Sequence, residues 1–92
     1  VLVCPSMTGT AHPVTSEELY GPMGEDDWTW GQFTIPFDFN GAPTISLPCG
    51  LDSEGLPLSI QFVGKHQSEP LLVRMGHAFE EATTWRDLHP DI

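Results

Sequence analysis

Cations are scarce in this chain. Lys65, Arg74 and Arg86 stand against thirteen Asp and Glu, giving a net charge of −10 over 92 residues. Nucleic-acid phosphates and anionic lipid headgroups need clustered Lys and Arg, so the balance argues against both as partners. It is read as a solubility feature. Long apolar runs are also lacking, which leaves no transmembrane stretch and no signal peptide to expect. Cysteine is limited to Cys4 and Cys49, without CxxC or zinc-ligand spacing. Both lie in apolar, strand-like runs and read as free thiols of a reducing compartment, so a cytoplasmic location is expected. A Cys4–Cys49 disulfide would require their strands to be neighbours. Apolar residues make up 39% of the chain, short of the roughly 45–50% of globular domains when Gly is counted. A small core contributes no more than about 3–5 kcal/mol without staples or a partner, so the chain is expected to be marginal by itself. Val1 opens it in mid-strand and without Met, which reads as a fragment boundary.

Glycine and proline are plentiful, nine of each. Val1–Met7 reads as a short buried strand ended by Pro5. Residues 8–32 form a long loop with an acidic cluster at Glu25, Asp26 and Asp27, and Thr15–Tyr20 has the capping pattern of one helical turn. Within Phe33–Gly64 the spacing predicts two strands, Thr44–Pro48 and Leu58–Val63, joined as an antiparallel hairpin through the turn residues Asp52–Gly55. Their near-continuous apolarity predicts a sheet covered on both faces. Ser68–Thr84 is predicted to be a helix, with Ser68 as N-cap and Pro70 in the first turn. Its expected apolar stripe is Leu71, Leu72, Met75, Ala78, Phe79 and Ala82.

The punctuation of Phe33–Gly64, FTIPFDFNGAPTISLPCGLDSEGLPLSIQFVG, is more particular than a generic hairpin needs. Pro-Phe, then Gly-x-Pro, then a strand ending Pro-Cys-Gly, then Gly-Leu-Pro and Gln61–Gly64 follow in fixed order. Val1–Ser6, the Glu69–Glu80 helix, Trp85 and the final His-Pro continue the pattern. Together these residues resemble the C-terminal part of the amidase signature family, the serine amide hydrolases that include the A subunit of glutamyl-tRNA amidotransferase. The motif positions are Pro5, Asp38, Gly41, Pro43, Pro48, Gly50, Gly55, Gln61 and Gly64. Asp38 departs from the Asn that many members carry after Pro-Phe; an acid can still accept backbone hydrogen bonds in a turn. Gly41 and Gly50 fit conformations or close approaches that a Cβ would block. Gln61, on a buried strand, needs hydrogen-bond partners and reads as a structural linker.

The resemblance implies an α/β fold, the C-terminal part of a mixed β-sheet flanked by helices. Residues 1–92 would supply a few strands, a hairpin and one C-terminal helix. It also implies a parent enzyme that hydrolyses a carboxamide with a Ser-Ser-Lys centre, the lysine acting as base once its pKa is depressed. That centre lies in a Gly/Ser-rich region upstream of the matched part, so this chain is expected to have no catalytic residue and no activity alone. An internal centre from Ser46 or Ser59 with Lys65 would lack an oxyanion loop. No cofactor and no metal are expected: the histidines are scattered, and a shared ion on His77 and Glu81 would have two ligands on an exposed face. Tyr20, Trp28, Trp30, Phe33 and Phe37 read first as a loop packed on the sheet. Their functional alternative is one wall of an apolar substrate pocket, carried by Trp30, Phe33 and Phe37.

The expected partners are the remainder of the amidase chain and, for the whole enzyme, a small-molecule amide. A different class of reading is a non-catalytic binding or assembly module derived from an amidase, self-associating through exposed strand edges. The amidotransferase component, which would need partner subunits and tRNA, draws no support from so acidic a chain.

Overall fold

Three strands of the computed structural model, which describes residues 1–11, 31–89 and 91, form one antiparallel sheet. They are β1 (Leu2–Pro5), β2 (Thr44–Leu51) and β3 (Pro57–Val63), in spatial order β1-β3-β2. Two helices accompany them, α1 (Ile35–Asn40) and α2 (Glu69–Ala82), with a 3-10 turn at Trp85–Asp87. The predicted loop turn at Thr15–Tyr20, the acidic cluster and Trp28 and Trp30 fall outside the described residues.

The β2–β3 hairpin forms where the spacing places it, but β2 runs on past Pro48. Pro48 pairs with Ser59 and Gly50 with Leu58, leaving Cys49 as the extra residue of a bulge. Gly50 takes φ +152° there, a conformation L side chains rarely adopt. The connecting turn is built around Asp52. Its Oδ1 accepts the N–H groups of Glu54 and Leu56, both at 2.8 Å. The Leu56 bond is the main reason its carboxyl is held below the usual value of 3.8. A depressed folded pKa supplies stabilisation above the unfolded value and loses it as pH falls through the folded one. The amide proton shifts of Leu56 and Glu54 should therefore titrate together with a midpoint below 3.8, and Asp52→Ala should abolish that transition.

Residues alternate across the sheet, so Ile45, Leu47, Ile60 and Phe62 share one face. Helix α2 covers it with Leu72, joined at the margin by Met75 and Phe79. Phe79 meets Phe62 edge-to-face, with ring centroids 5.8 Å apart. The contact stripe is Leu72, Met75, Gly76 and Phe79, the i, i+3, i+4, i+7 set. Leu71, Ala78 and Ala82, expected on the stripe, are exposed. Gly76 sets the difference: a Cβ there would stand 2.8 Å from Ile45 Cδ1, so its bare backbone lets the helix lie tight against the sheet. Ser68 precedes the helix as its N-cap, but its hydroxyl donates back to the Lys65 carbonyl at 2.6 Å and makes no bond into the helix.

Two further expectations are corrected. The Phe33–Gly64 stretch holds α1 as well as the strand pair. Pro36 fits its first turn, Gly41 ends it at φ +68°, and Asn40 Oδ1 accepts the Ala42 N–H at 2.8 Å. Nor is the first strand buried: Val1, Leu2 and Val3 are each more than half exposed. Cover on both faces is confined to the last three residues of the central strand, where Gln61, Phe62 and Val63 are buried in succession, while Pro57 and Leu58 are exposed.

Candidate functional site

The face opposite α2 carries polar side chains at its centre. Cys4, Gln61 and Ser46 lie in register across β1, β3 and β2. Gln61 is 2% exposed. Its Nε2 donates to the Phe33 carbonyl, and at 3.3 Å to both the Pro5 carbonyl and Cys4 Sγ. A buried amide is costly unless its polar atoms are bonded, and here the bonds fasten two other segments to β3. Beside it, Ser6 is buried, donates its N–H to the Ser59 carbonyl and its Oγ–H to Ser46 Oγ, each at 3.1 Å. The linker reading of Gln61 thus acquires definite partners. Ser6 escapes sequence reasoning because a hydroxyl beyond a strand-ending proline carries no local signal of burial.

Phe33 and Phe37 flank this face, both half-buried. Phe37 borders a groove of about 290 Å³ with Leu2, Asn40, Val63 and Lys65. Trp30, the third expected wall residue, lies outside the described residues. The motif positions serve backbone geometry. The Pro43 carbonyl accepts the Gly64 N–H at 2.9 Å, beside the end of β3. Gly55, at φ +83°, completes the Asp52 turn. Pro48 precedes the bulge, and the Trp85 ring lies 3.9 Å from the space a Cβ on Gly50 would fill. Asp38 sits exposed on α1, and the turn after it is held by Asn40.

Two groups of the internal Ser–Lys centre weighed from the sequence can be placed. Ser46 is engaged by Ser6, and Lys65 is exposed. Cys4 and Cys49 are free thiols. Among the described residues no group of His, Cys, Asp or Glu is placed to hold a metal ion. Glu81 is taken by Arg86 at 2.7 Å, a contact that raises the guanidinium pKa further. No helix among the described residues is long and apolar enough to cross a membrane.

The amidase family model matches residues 1–73. The chain belongs to the amidase family. This amidase segment is 36% identical to the A subunit of a glutamyl-tRNA(Gln) amidotransferase from Picosynechococcus sp., over 92 residues covering all of the chain and 18% of the relative. It is 39% identical to a putative amidase, AmiD, of Mycobacterium tuberculosis, over 95 residues covering all of the chain and 19% of the relative. The amidase segment therefore spans about a fifth of the length of these relatives. The identities to the two kinds of protein are similar. No solved structure matches the chain.

Proposed function

We propose that this chain is the C-terminal part of a cytoplasmic amidase that hydrolyses a carboxamide C–N bond to a carboxylate and ammonia or an amine. The observation that carries the reading is the family match over residues 1–73 together with relatives covering the whole chain. The Ser-Ser-Lys centre of the parent enzyme lies outside these residues, and the chain is inactive by itself. Its role is structural support: Gln61 fastens the Phe33 segment to the sheet, and Phe33, Phe37 and Trp30 form one apolar wall of the acyl or aryl pocket.

The test is complementation. The remaining part of the amidase and this chain, each purified alone, should release no product from a simple aryl amide. Co-expressed, they should associate and hydrolyse it. Halves that neither associate nor cleave would contradict the reading, as would turnover by the 92-residue chain alone.

A further inference from the structure

We propose that Asn40–Gly41 is a self-modifying site, where the Asn40 side chain cyclises onto the Gly41 backbone nitrogen and loses ammonia, with His66 as the base. The inference goes beyond the proposed function and holds whatever amide the parent enzyme hydrolyses.

Asn40 is the only asparagine of the chain, and glycine follows it. The carbonyl carbon of an asparagine side chain is within ring-closing reach of the next residue's backbone nitrogen. A side chain on that next residue crowds the ring, and glycine has none. Asn40 and Gly41 are both exposed. They stand at the end of α1, a helix of six residues, none of them buried. Few contacts therefore hold the backbone against the local opening that ring closure needs.

The fold adds two groups to this dipeptide. The first is the Ala42 N–H, which donates to Asn40 Oδ1 at 2.8 Å. Its hydrogen sits where negative charge grows as the side-chain carbonyl is attacked, the place of an oxyanion donor. The second is His66. Its Cε1 lies 3.7 Å from the point a Cβ on Gly41 would occupy, and among the described residues no other group beyond the chain neighbours comes within 4 Å of that point. Cε1 is flanked by both ring nitrogens, so the imidazole can take the amide proton directly or through one water. The approach is built into the fold. The Gly64 N–H to Pro43 carbonyl bond, at 2.9 Å, ties the loop that carries His66 to the segment that follows Gly41.

Water is the only co-reactant. His66 accepts the Gly41 amide proton as the nitrogen attacks Asn40 Cγ and the new C–N bond forms. The carbonyl electron pair moves onto Oδ1, facing the Ala42 N–H. It returns as the Cγ–Nδ2 bond breaks, and Nδ2 takes the proton from His66 and leaves as ammonia. Water then opens the cyclic imide. Opening at Cγ gives aspartate; opening at the main-chain carbonyl gives isoaspartate, whose backbone runs through an extra methylene. Either product adds a carboxylate to an already acidic chain, and isoaspartate lengthens the link between α1 and β2.

The test is to age the complete polypeptide, folded, at neutral to mildly alkaline pH and to map its peptides by mass spectrometry. The Asn40 peptide should give way to two products of equal mass, aspartate and isoaspartate, with an equal amount of ammonia released. His66→Gln removes the base from an exposed position. It should slow the conversion by at least about tenfold, a modest share of what a positioned base contributes. In denaturant, where His66 is no longer held beside Gly41, wild type and variant should convert at the same rate. An Asn40 peptide that stays intact in the folded protein overturns the proposal. So does equal conversion by folded wild type and His66→Gln, or a difference between them that persists in denaturant.

Discussion

Gln61→Leu should destabilise the amidase more than its modest change in volume suggests. The wild-type amide is buried and shared among the Phe33 carbonyl, the Pro5 carbonyl and Cys4 Sγ. Leucine fills similar space and donates nothing. Each hydrogen bond lost costs about 0.5–1.5 kcal/mol, and two carbonyls lose their donor. Gln61→Glu should be no milder, because it sets acceptor against acceptor and buries a charge unless it protonates. Ser46→Ala provides the comparison. It removes one neutral hydrogen bond from an exposed serine, worth about 0.5–1.5 kcal/mol. Denaturant unfolding of the complete polypeptide should therefore rank Gln61→Leu well below Ser46→Ala in midpoint. Equal midpoints would mean that the amide does not fasten the Phe33 segment. If Phe33 and Phe37 line the substrate pocket, Gln61→Leu should also raise KM for an aryl amide.

Leu72→Ala should be the other large loss. Leu72 is 2% exposed and sits between Leu47 and Phe62, so truncation removes buried methyl groups and leaves a cavity, at about 2–5 kcal/mol. Its neighbour Leu71 is 44% exposed, and Leu71→Ala should stay within about 0.5 kcal/mol. The two side chains are adjacent and chemically identical, so the contrast isolates the orientation of α2. A comparable loss from both variants would place Leu71 in contact with another part of the polypeptide.

Those two leucines also show where sequence stops being sufficient. Periodicity locates α2 to within a residue or two, because Ser68, Pro70 and the apolar spacing all point the same way. It does not choose between two overlapping stripes, one through Leu72 and Phe79 and one through Leu71 and Ala78. Gly76 decides by close approach to Ile45, and a glycine contributes nothing to a hydrophobic pattern. The hairpin is legible because Asp52–Gly55 has turn chemistry of its own. Its extension past Pro48 is not, since a bulge depends on how Gly50 meets β3. The exposure of β1 is hidden for a related reason: apolar composition marks a strand for cover and does not say what supplies it. Of the candidate site, Gln61 is legible through the cost of a buried amide. Its partners, Phe33, Pro5 and Cys4, are far from it in sequence, and Ser6 and Ser46 are 40 residues apart.

The central claim is that this chain is one part of a larger amidase. Intact mass of the protein from its native source, with the N-terminus mapped, tests it most directly. A species several times longer that includes a Gly/Ser-rich region with the catalytic serines is the predicted result. A native species of about 10.1 kDa beginning near Val1 would contradict it, and would make this chain a separate polypeptide.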